Sequence, residues 1–318
     1  MCPTPSWTPA CGPARCEPAM TRTEATTDAA QPVFTRRRRR LPRGWRSLSV
    51  YVLILGVFIF TGIFADLIAP HDPVRDDLQG RLQGPFWQGD GSFEHPLGTD
   101  GLGRDTFSRV IHGARLSLIV VATTIPTALV IGVMLGLFSG WRLGFADRFL
   151  MRVVDMQLAF PGILFAVLLA SLYGPSLRNV IIVLTVFMWA AFARLVRGEV
   201  LSLRERDFVL AARTVGASDL RIMLRYLLPN LLNPVIVLAT LLVADVIISE
   251  AGLSFIGVGV APDSVSWGIM ISDGRTFLGL DFWQVGMPGF AILTVSLVAN
   301  LLGDWVRDWL DPRLRRAA

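Results

Sequence analysis

Lysine is absent from this sequence of 318 residues, so all 30 of its basic residues are arginine. Charged residues are scarce as well: they make up 17% of the chain, against about 25% in an ordinary soluble domain. With 53% hydrophobic residues and a mean hydropathy of +0.53, the chain has too little polar surface for a soluble fold of this size. The apolar surface is therefore expected to face lipid. Without lysine there is also no Gly-Lys-Ser/Thr phosphate loop, so any energy from ATP must enter through another protein.

Cysteine and histidine are rare, and their placement gives no sign of a metal or catalytic site. The three cysteines lie in a Pro-rich leader, and a start at Met20 would remove them: Cys2, Cys11 and Cys16. They form neither a disulfide framework nor a zinc site. The three histidines are scattered along the chain: His71, His95 and His112. No Ser/His/Asp set and no His/Cys cluster can be recognised, so the sequence predicts no metal, no cofactor and no enzymatic activity.

Six apolar stretches reach or approach the roughly 20 residues that a helix needs to cross a bilayer. They cover residues 48–69, 116–140, 154–172, 179–195, 234–252 and 282–303. The first stretch is too long, and begins too late, for a cleaved signal peptide. The predicted fold class is an all-α polytopic membrane protein with six transmembrane helices.

The arginine clusters predict the orientation of these helices. They precede the first stretch and follow the second, fourth and sixth stretches, whereas the segment between the first two is rich in aspartate. Because arginine favours the cytoplasmic side, both termini are expected in the cytoplasm. The predicted divisions are a disordered Arg-rich leader (1–46), a first helix with an external segment (47–113), a five-helix core (114–307) with a cytoplasmic loop (196–229), and a cytoplasmic tail (308–318).

The cytoplasmic loop reads as helix, break, helix. Residues 206–214 are good helix formers, and Gly216 stands where a left-handed helix stop requires glycine. Ser218 is expected to cap a second helix, which Pro229 ends or kinks. The small residues Ala211 and Ala212 leave a low surface on which another protein could dock. An interfacial amphipathic hairpin is the alternative, and a helix-turn-helix DNA reader is disfavoured because the loop is held between two spans.

A Gly- and Asp-rich turn precedes the second stretch. Its candidate residues are Gly98, Thr99, Asp100, Gly103, Arg104 and Asp105. It is not a calcium loop, because Leu102 occupies a ligand position, and it lacks a third spaced glycine for a dinucleotide site. Two interpretations remain: a rigid turn with an arginine–carboxylate ion pair, or a contact with an extracytoplasmic binding protein.

Two acidic residues lie within or near the fifth stretch. A charge at the centre of a bilayer costs about 2.5–3.5 kcal/mol on insertion scales, so Asp245 and Glu250 should face protein or water. Both are candidates for lining a solute pathway. For Asp245, a bond to a neighbouring helix is the equal alternative.

Four segments resemble one family of transporters. LAARTVGASDLRIMLRYLLP resembles the EAA loop of ABC importer permeases, although Leu210 replaces the usual glutamate and Tyr226 a common isoleucine. Residues 95–118, 248–275 and 300–315 resemble the dipeptide, oligopeptide and nickel importer group. Together they look like its second, or C-type, permease.

This resemblance implies a type I importer permease fold in the bacterial inner membrane. It implies pairing with a homologous permease, two ATP-binding subunits and an extracytoplasmic solute-binding protein, with di- or oligopeptides as the commonest cargo and nickel or other small solutes as alternatives. The residues implied in coupling to the ATPase are Leu210, Ala211, Ala212, Arg213, Gly216, Ala217, Leu228 and Pro229. Two rival functions are an ion-driven transporter, for which Asp245 is the clearest candidate residue, and a receptor or scaffold.

Overall fold

The computed structural model describes residues 45–89 and 91–310, and its regular elements in these ranges are helical. The predicted leader up to residue 44, with its three cysteines, and the tail from residue 311 lie outside them. The longer helices are α1 (Trp45–Ile63), α3 (Thr106–Arg142), α4 (Phe145–Ala159), α5 (Gly162–Tyr173), α6 (Leu177–Leu203), α9 (Leu228–Ile256) and α11 (Trp283–Leu310). The short ones are α2 (Ala65–Ile68), α7 (Asp207–Thr214), α8 (Asp219–Ile222) and α10 (Trp267–Gly274).

Four helical segments in the described part are long and apolar enough to cross a membrane. They are α3, α6, α11 and the continuous helix Asp219–Ile256, which contains α8 and α9. These four correspond to the predicted second, fourth, fifth and sixth spans, and each extends beyond its predicted bounds at one or both ends. The apolar run sets the span, while the helix continues into the polar ends because good helix formers flank it.

The prediction of one unbroken third helix over 154–172 is wrong. The segment is two helices, α4 and α5, bent by 84°. Phe160 is extended at φ −89° and ψ 129°, as expected before a proline, and Pro161 precedes the first turn of α5. Pro161 ends α4 because its ring excludes an α-helical preceding residue and it has no N–H to donate.

The first predicted span is also interrupted near its end. Helix α1 has 19 residues, about 28 Å at 1.5 Å per residue, and stops at Ile63. Phe64 then separates it from the single turn α2. The apolar part of α1, Leu48–Ile63, is shorter than each of the four long apolar helices named above.

Helices α3 and α6 form the most extensive contact between helices in the described part of the chain and run in the same direction. A Cβ added at Gly132 would lie 2.4 Å from Cβ of Phe192, and one at Gly140 would lie 2.9 Å from Cβ of Val200. Between them, a Cβ added at Gly136 would lie 2.6 Å from the carbonyl oxygen of Ala193. The three glycines recur every fourth residue, which places them on one face and lets the two backbones approach closely.

The bundle has two ends that carry different structures. The end where α3 stops and α7 lies is called the hairpin end below, and the opposite end, with α10, is called the α10 end. Helix α3 begins at the α10 end. Asp105 caps its first turn, because the Asp105 side chain accepts a hydrogen bond from the Ser108 N–H at 2.8 Å. Residues 106–113, predicted to belong to the external segment, therefore form the start of α3. The predicted division between residues 113 and 114 falls inside this helix.

Candidate functional site

A helical hairpin made of α7 and α8 lies at the hairpin end. Gly216 joins the two helices with φ +82°, the left-handed conformation that favours glycine. The Ala217 N–H donates to the Ala212 carbonyl at 3.0 Å and the Gly216 N–H to the Arg213 carbonyl at 2.9 Å. These bonds close the helix in the glycine stop that the sequence predicts.

The hairpin is fixed to the bundle through its inner face. Val209 and Ile222 are fully buried within the same core as the α3 and α6 contact. The guanidinium of Arg213 lies over the ring of Trp141, 4.4 Å from its centroid, a cation–π contact with the last turn of α3. The hairpin is thus in direct contact with the spanning helices.

The outer face of the hairpin exposes large apolar side chains among charged ones. Val215 is 88% exposed, Leu220 61% and Leu210 47%. Ala211 shares this exposed face, but Ala212 is buried. The expectation that both alanines form the docking surface is thus wrong for Ala212, because the helix periodicity turns it toward the core beside Val209.

The junction between the hairpin and α9 differs from the prediction in two details. Ser218 occupies the capping position of α8, but its side chain makes no capping hydrogen bond. Of the two effects expected of Pro229, that it ends or kinks the second helix, the first is not seen: Pro229 lies in the first turn of α9, after a π turn over Met223–Leu227 in which the Leu228 N–H donates to the Met223 carbonyl. The wider turn accommodates the proline ring, which would clash with the carbonyl four residues earlier in a regular helix.

An ion pair that the sequence analysis missed joins three helices beside the hairpin. Arg197 of α6 donates to both carboxylate oxygens of Asp147, at 2.5 and 2.8 Å. Ser139 of α3 donates to the same carboxylate. Asp147 is 5% exposed, and its only sequence signal is an acidic residue in the first turn of a helix.

The predicted arginine–carboxylate pair of the Gly- and Asp-rich turn is present at the α10 end. Asp100 accepts from Nε of Arg104 at 2.8 Å and from Arg109 at 2.6 Å. Asp273 of α10 lies 3.1 Å from Arg104 and 3.5 Å from Arg109. The turn is thereby tied to α10 over a long sequence separation, through Arg109 and Asp273, which the sequence analysis did not single out.

The backbone of this turn depends on its small residues. Gly98 and Gly103 have φ of +77° and +80°. A Cβ on Gly103 would lie 1.7 Å from the Asp77 carbonyl oxygen, so no other residue fits there. Thr99 is buried, donates to the Gly80 carbonyl at 2.5 Å and accepts from the Gln83 N–H at 2.9 Å. The segment is therefore a tight turn held by buried hydrogen bonds.

The two acidic residues of α9 have opposite surroundings. Glu250 is fully buried and accepts hydrogen bonds from Ser254 at 2.9 Å and Ser117 of α3 at 3.4 Å, so it lies in a helix–helix contact. Asp245 is exposed and shares one face of α9 with Ile248. Of the two pathway candidates, only Asp245 has an open side chain.

The structure also corrects the expectation that the histidines are scattered. The ring centroids of His71 and His95 are 4.7 Å apart, and Glu94 is adjacent to both. His112 lies elsewhere, with its ring bonded to Asp66.

These features define a class of protein: a helical, polytopic membrane protein with a structured hairpin between two spans that exposes apolar side chains. Residues 132–316 match the family described as binding-protein-dependent transport system inner membrane component. The chain belongs to this family, and it is therefore an inner-membrane transport component.

Relatives cover most of the chain. It is 40% identical over 267 residues to the di/tripeptide transport system permease protein DppC of Pseudomonas aeruginosa, which covers 84% of this chain and 88% of the relative. It is 43% identical over 267 residues to the dipeptide transport system permease protein DppC of Escherichia coli K12, with the same coverage of both chains.

A solved structure shares the fold. A chain from inward-facing structures of the MetNI methionine ABC transporter superposes with a TM-score of 0.55 at 19% identity, covering 64% of this chain and 97% of that chain. At this identity the likeness concerns the fold alone. It agrees with the importer-type helical bundle that the sequence motifs predict.

Proposed function

We propose that this chain is the second, C-type permease subunit of an ATP-driven, binding-protein-dependent importer for di- or oligopeptides. The relatives named for di- and tripeptide transport support this cargo. The observation that carries the proposal is the hairpin, whose exposed Val215 and Leu220 form an apolar face beside a glycine-stopped helix. Such a face is costly in water and is expected to be covered by a separate ATPase subunit.

We infer six spans, with both termini cytoplasmic. The parallel packing of α3 and α6 supports this count, because the bent pair α4–α5 must then cross back once between them. The orientation is supported by the arginines at or after the ends of α3 and α6 at the hairpin end, Arg142, Arg148, Arg204 and Arg206, and by the aspartates at the α10 end. The hairpin would then lie in the cytoplasm, where ATP is available.

The coupling is mechanical, and the chain itself catalyses no reaction. ATP is bound by two partner subunits, and their closure pushes on the hairpin. Arg213 and Trp141 pass the displacement to α3, and the Asp147–Arg197 ion pair links α3, α4 and α6 at the same end. The pathway thereby changes from inward-facing to outward-facing, and an extracytoplasmic binding protein delivers the solute at the α10 end.

A homologous permease completes the pathway. Asp245 stands exposed on α9 beside Ile248 and Gly252, and a carboxylate facing lipid would be costly. This face is therefore covered by the second permease or lines the pathway between the two subunits. The turn at Gly98–Asp105 would then face the binding protein.

The proposal is tested by identifying the energy source of solute uptake. Right-side-out vesicles that carry this chain and its partner subunits are loaded with ATP and given a labelled dipeptide on the outside. We expect uptake that requires ATP and persists when ionophores collapse the ion gradients. Uptake that needs no ATP and stops with the ionophores would instead support the ion-driven transporter.

A further inference from the structure

Three potential metal ligands meet outside the spanning helices, at the α10 end. His71 follows α2, and Glu94 with His95 lies in the turns before α3. One ligand atom from each of the three side chains lies within 4.8 Å of the others. The two segments are held in place by their backbones, since the His71 N–H donates to Ser108 Oγ at 3.2 Å and the Gly98 N–H donates to the His95 carbonyl at 2.9 Å.

Asp105 orients one of the two imidazoles. Nδ1 of His95 lies 3.1 Å from Oδ1 of Asp105, and the other carboxylate oxygen is fixed by the Ser108 N–H at 2.8 Å and the Ser108 hydroxyl at 2.6 Å. With its Nδ1 proton donated to this carboxylate, His95 keeps a lone pair on Nε2. Metal-binding histidines are commonly oriented by a carboxylate in this way.

The other imidazole has an unsatisfied nitrogen. Nδ1 of His71 is buried and has no hydrogen-bond partner, and it lies 3.9 Å from Oδ2 of Asp105, which is too far for a hydrogen bond. A buried nitrogen without a partner is unusual in a folded protein. A metal ion bound between the rings would give this nitrogen a partner.

We propose that His71, Glu94 and His95 bind a divalent transition-metal ion. Two imidazole nitrogens and one carboxylate are the ligands that zinc and similar ions use in three-residue sites, with a further position left open to water. The ion would join the segment after α2 to the turn before α3, and so fix the outer segment next to Asp105 and the start of α3. This inference does not depend on the proposed function.

The test uses the full chain, purified through an affinity tag that contains no histidine, stripped with a chelator and then equilibrated with Zn²⁺. We expect one bound Zn²⁺ per chain by elemental analysis, and a tetrahedral absorption spectrum when Co²⁺ replaces it. His71→Gln and Glu94→Gln should each lower the affinity by at least about tenfold, since loss of even an outer ligand partner has that effect. His112→Gln is the matched control and should bind like the wild type.

Glu94 is exposed, so Glu94→Gln removes a ligand without disturbing the fold, and the metal-free unfolding temperature should equal that of the wild type. The inference is overturned if the wild type binds no stoichiometric Zn²⁺. It is equally overturned if His71→Gln or Glu94→Gln binds Zn²⁺ as tightly as His112→Gln.

Discussion

The glycines of α3 give the sharpest prediction about the bundle, because their backbone contacts with α6 leave no room for a methyl group. A Cβ on Gly132 would lie 2.4 Å from Cβ of Phe192 and 2.6 Å from the Trp189 carbonyl oxygen. A Cβ on Gly136 would lie 2.6 Å from the Ala193 carbonyl oxygen. Real Cβ contacts are longer than 3.0 Å, so the two helices must separate in either alanine variant.

Overpacking of this kind costs about 1–3 kcal/mol. We expect the loss of unfolding free energy for Gly132→Ala and Gly136→Ala to fall in that range, since the contacting backbone atoms of α6 can move only if the whole helix moves. Gly140→Ala should cost less, because the closest atoms to its added Cβ, Cβ and Cγ1 of Val200 at 2.9 Å and the Arg197 carbonyl oxygen at 3.1 Å, are farther away than those at Gly132 and Gly136. Gly198→Ala on α6 is the matched control: no atom lies within 4 Å of its added Cβ, and alanine favours the helix.

The assay is the thermal unfolding midpoint of each variant in one detergent, followed by the yield of folded protein. The midpoints should fall for Gly132→Ala and Gly136→Ala, fall less for Gly140→Ala, and stay level or rise for Gly198→Ala. Equal midpoints for Gly136→Ala and Gly198→Ala would refute the close parallel packing of α3 and α6, and with it the support for one crossing by α4–α5.

Three further predictions concern single residues. Arg197→Ala leaves the buried carboxylate of Asp147 without its main partner and should cost about 1–3 kcal/mol in unfolding free energy, whereas Arg194→Ala, which breaks an exposed pair, should cost at most about 1 kcal/mol; equal losses would contradict this. Gly216→Ala should cost about 1–2 kcal/mol for its left-handed backbone alone, because no atom lies within 4 Å of the added Cβ, and an unchanged unfolding midpoint would count against the glycine stop. Asp245→Asn should slow solute uptake without lowering the yield of assembled complex, and the reverse pattern would assign Asp245 to helix packing.

The helices themselves could be predicted from the sequence because apolar length is a local property. The glycine stop at Gly216 was predictable for the same reason: the requirement for positive φ belongs to one residue. The break within the third predicted span also had a local signal, Pro161, but the long apolar run around it concealed the break.

Other features depend on contacts between distant segments and had no local signal. The burial of Ala212 but not Ala211 follows from where the core lies. His71 and His95 meet only because the segment between α2 and α3 folds back on itself, and Arg197 finds Asp147 only because α4 and α6 are neighbours. Neither the ion pair nor the histidine pair could be located without the fold.

The central claim, that the hairpin docks a separate ATPase, is tested most directly by copurification from detergent-solubilised membranes. Val215→Asp places a charge on the most exposed apolar side chain of the hairpin, 88% exposed, and Leu280→Asp is the matched control, 82% exposed near the α10 end. The account predicts that an ATPase subunit copurifies with the wild type and with Leu280→Asp, and is lost from Val215→Asp although that variant remains folded. Retention of the ATPase by Val215→Asp, or its absence from the folded wild type, would contradict the claim.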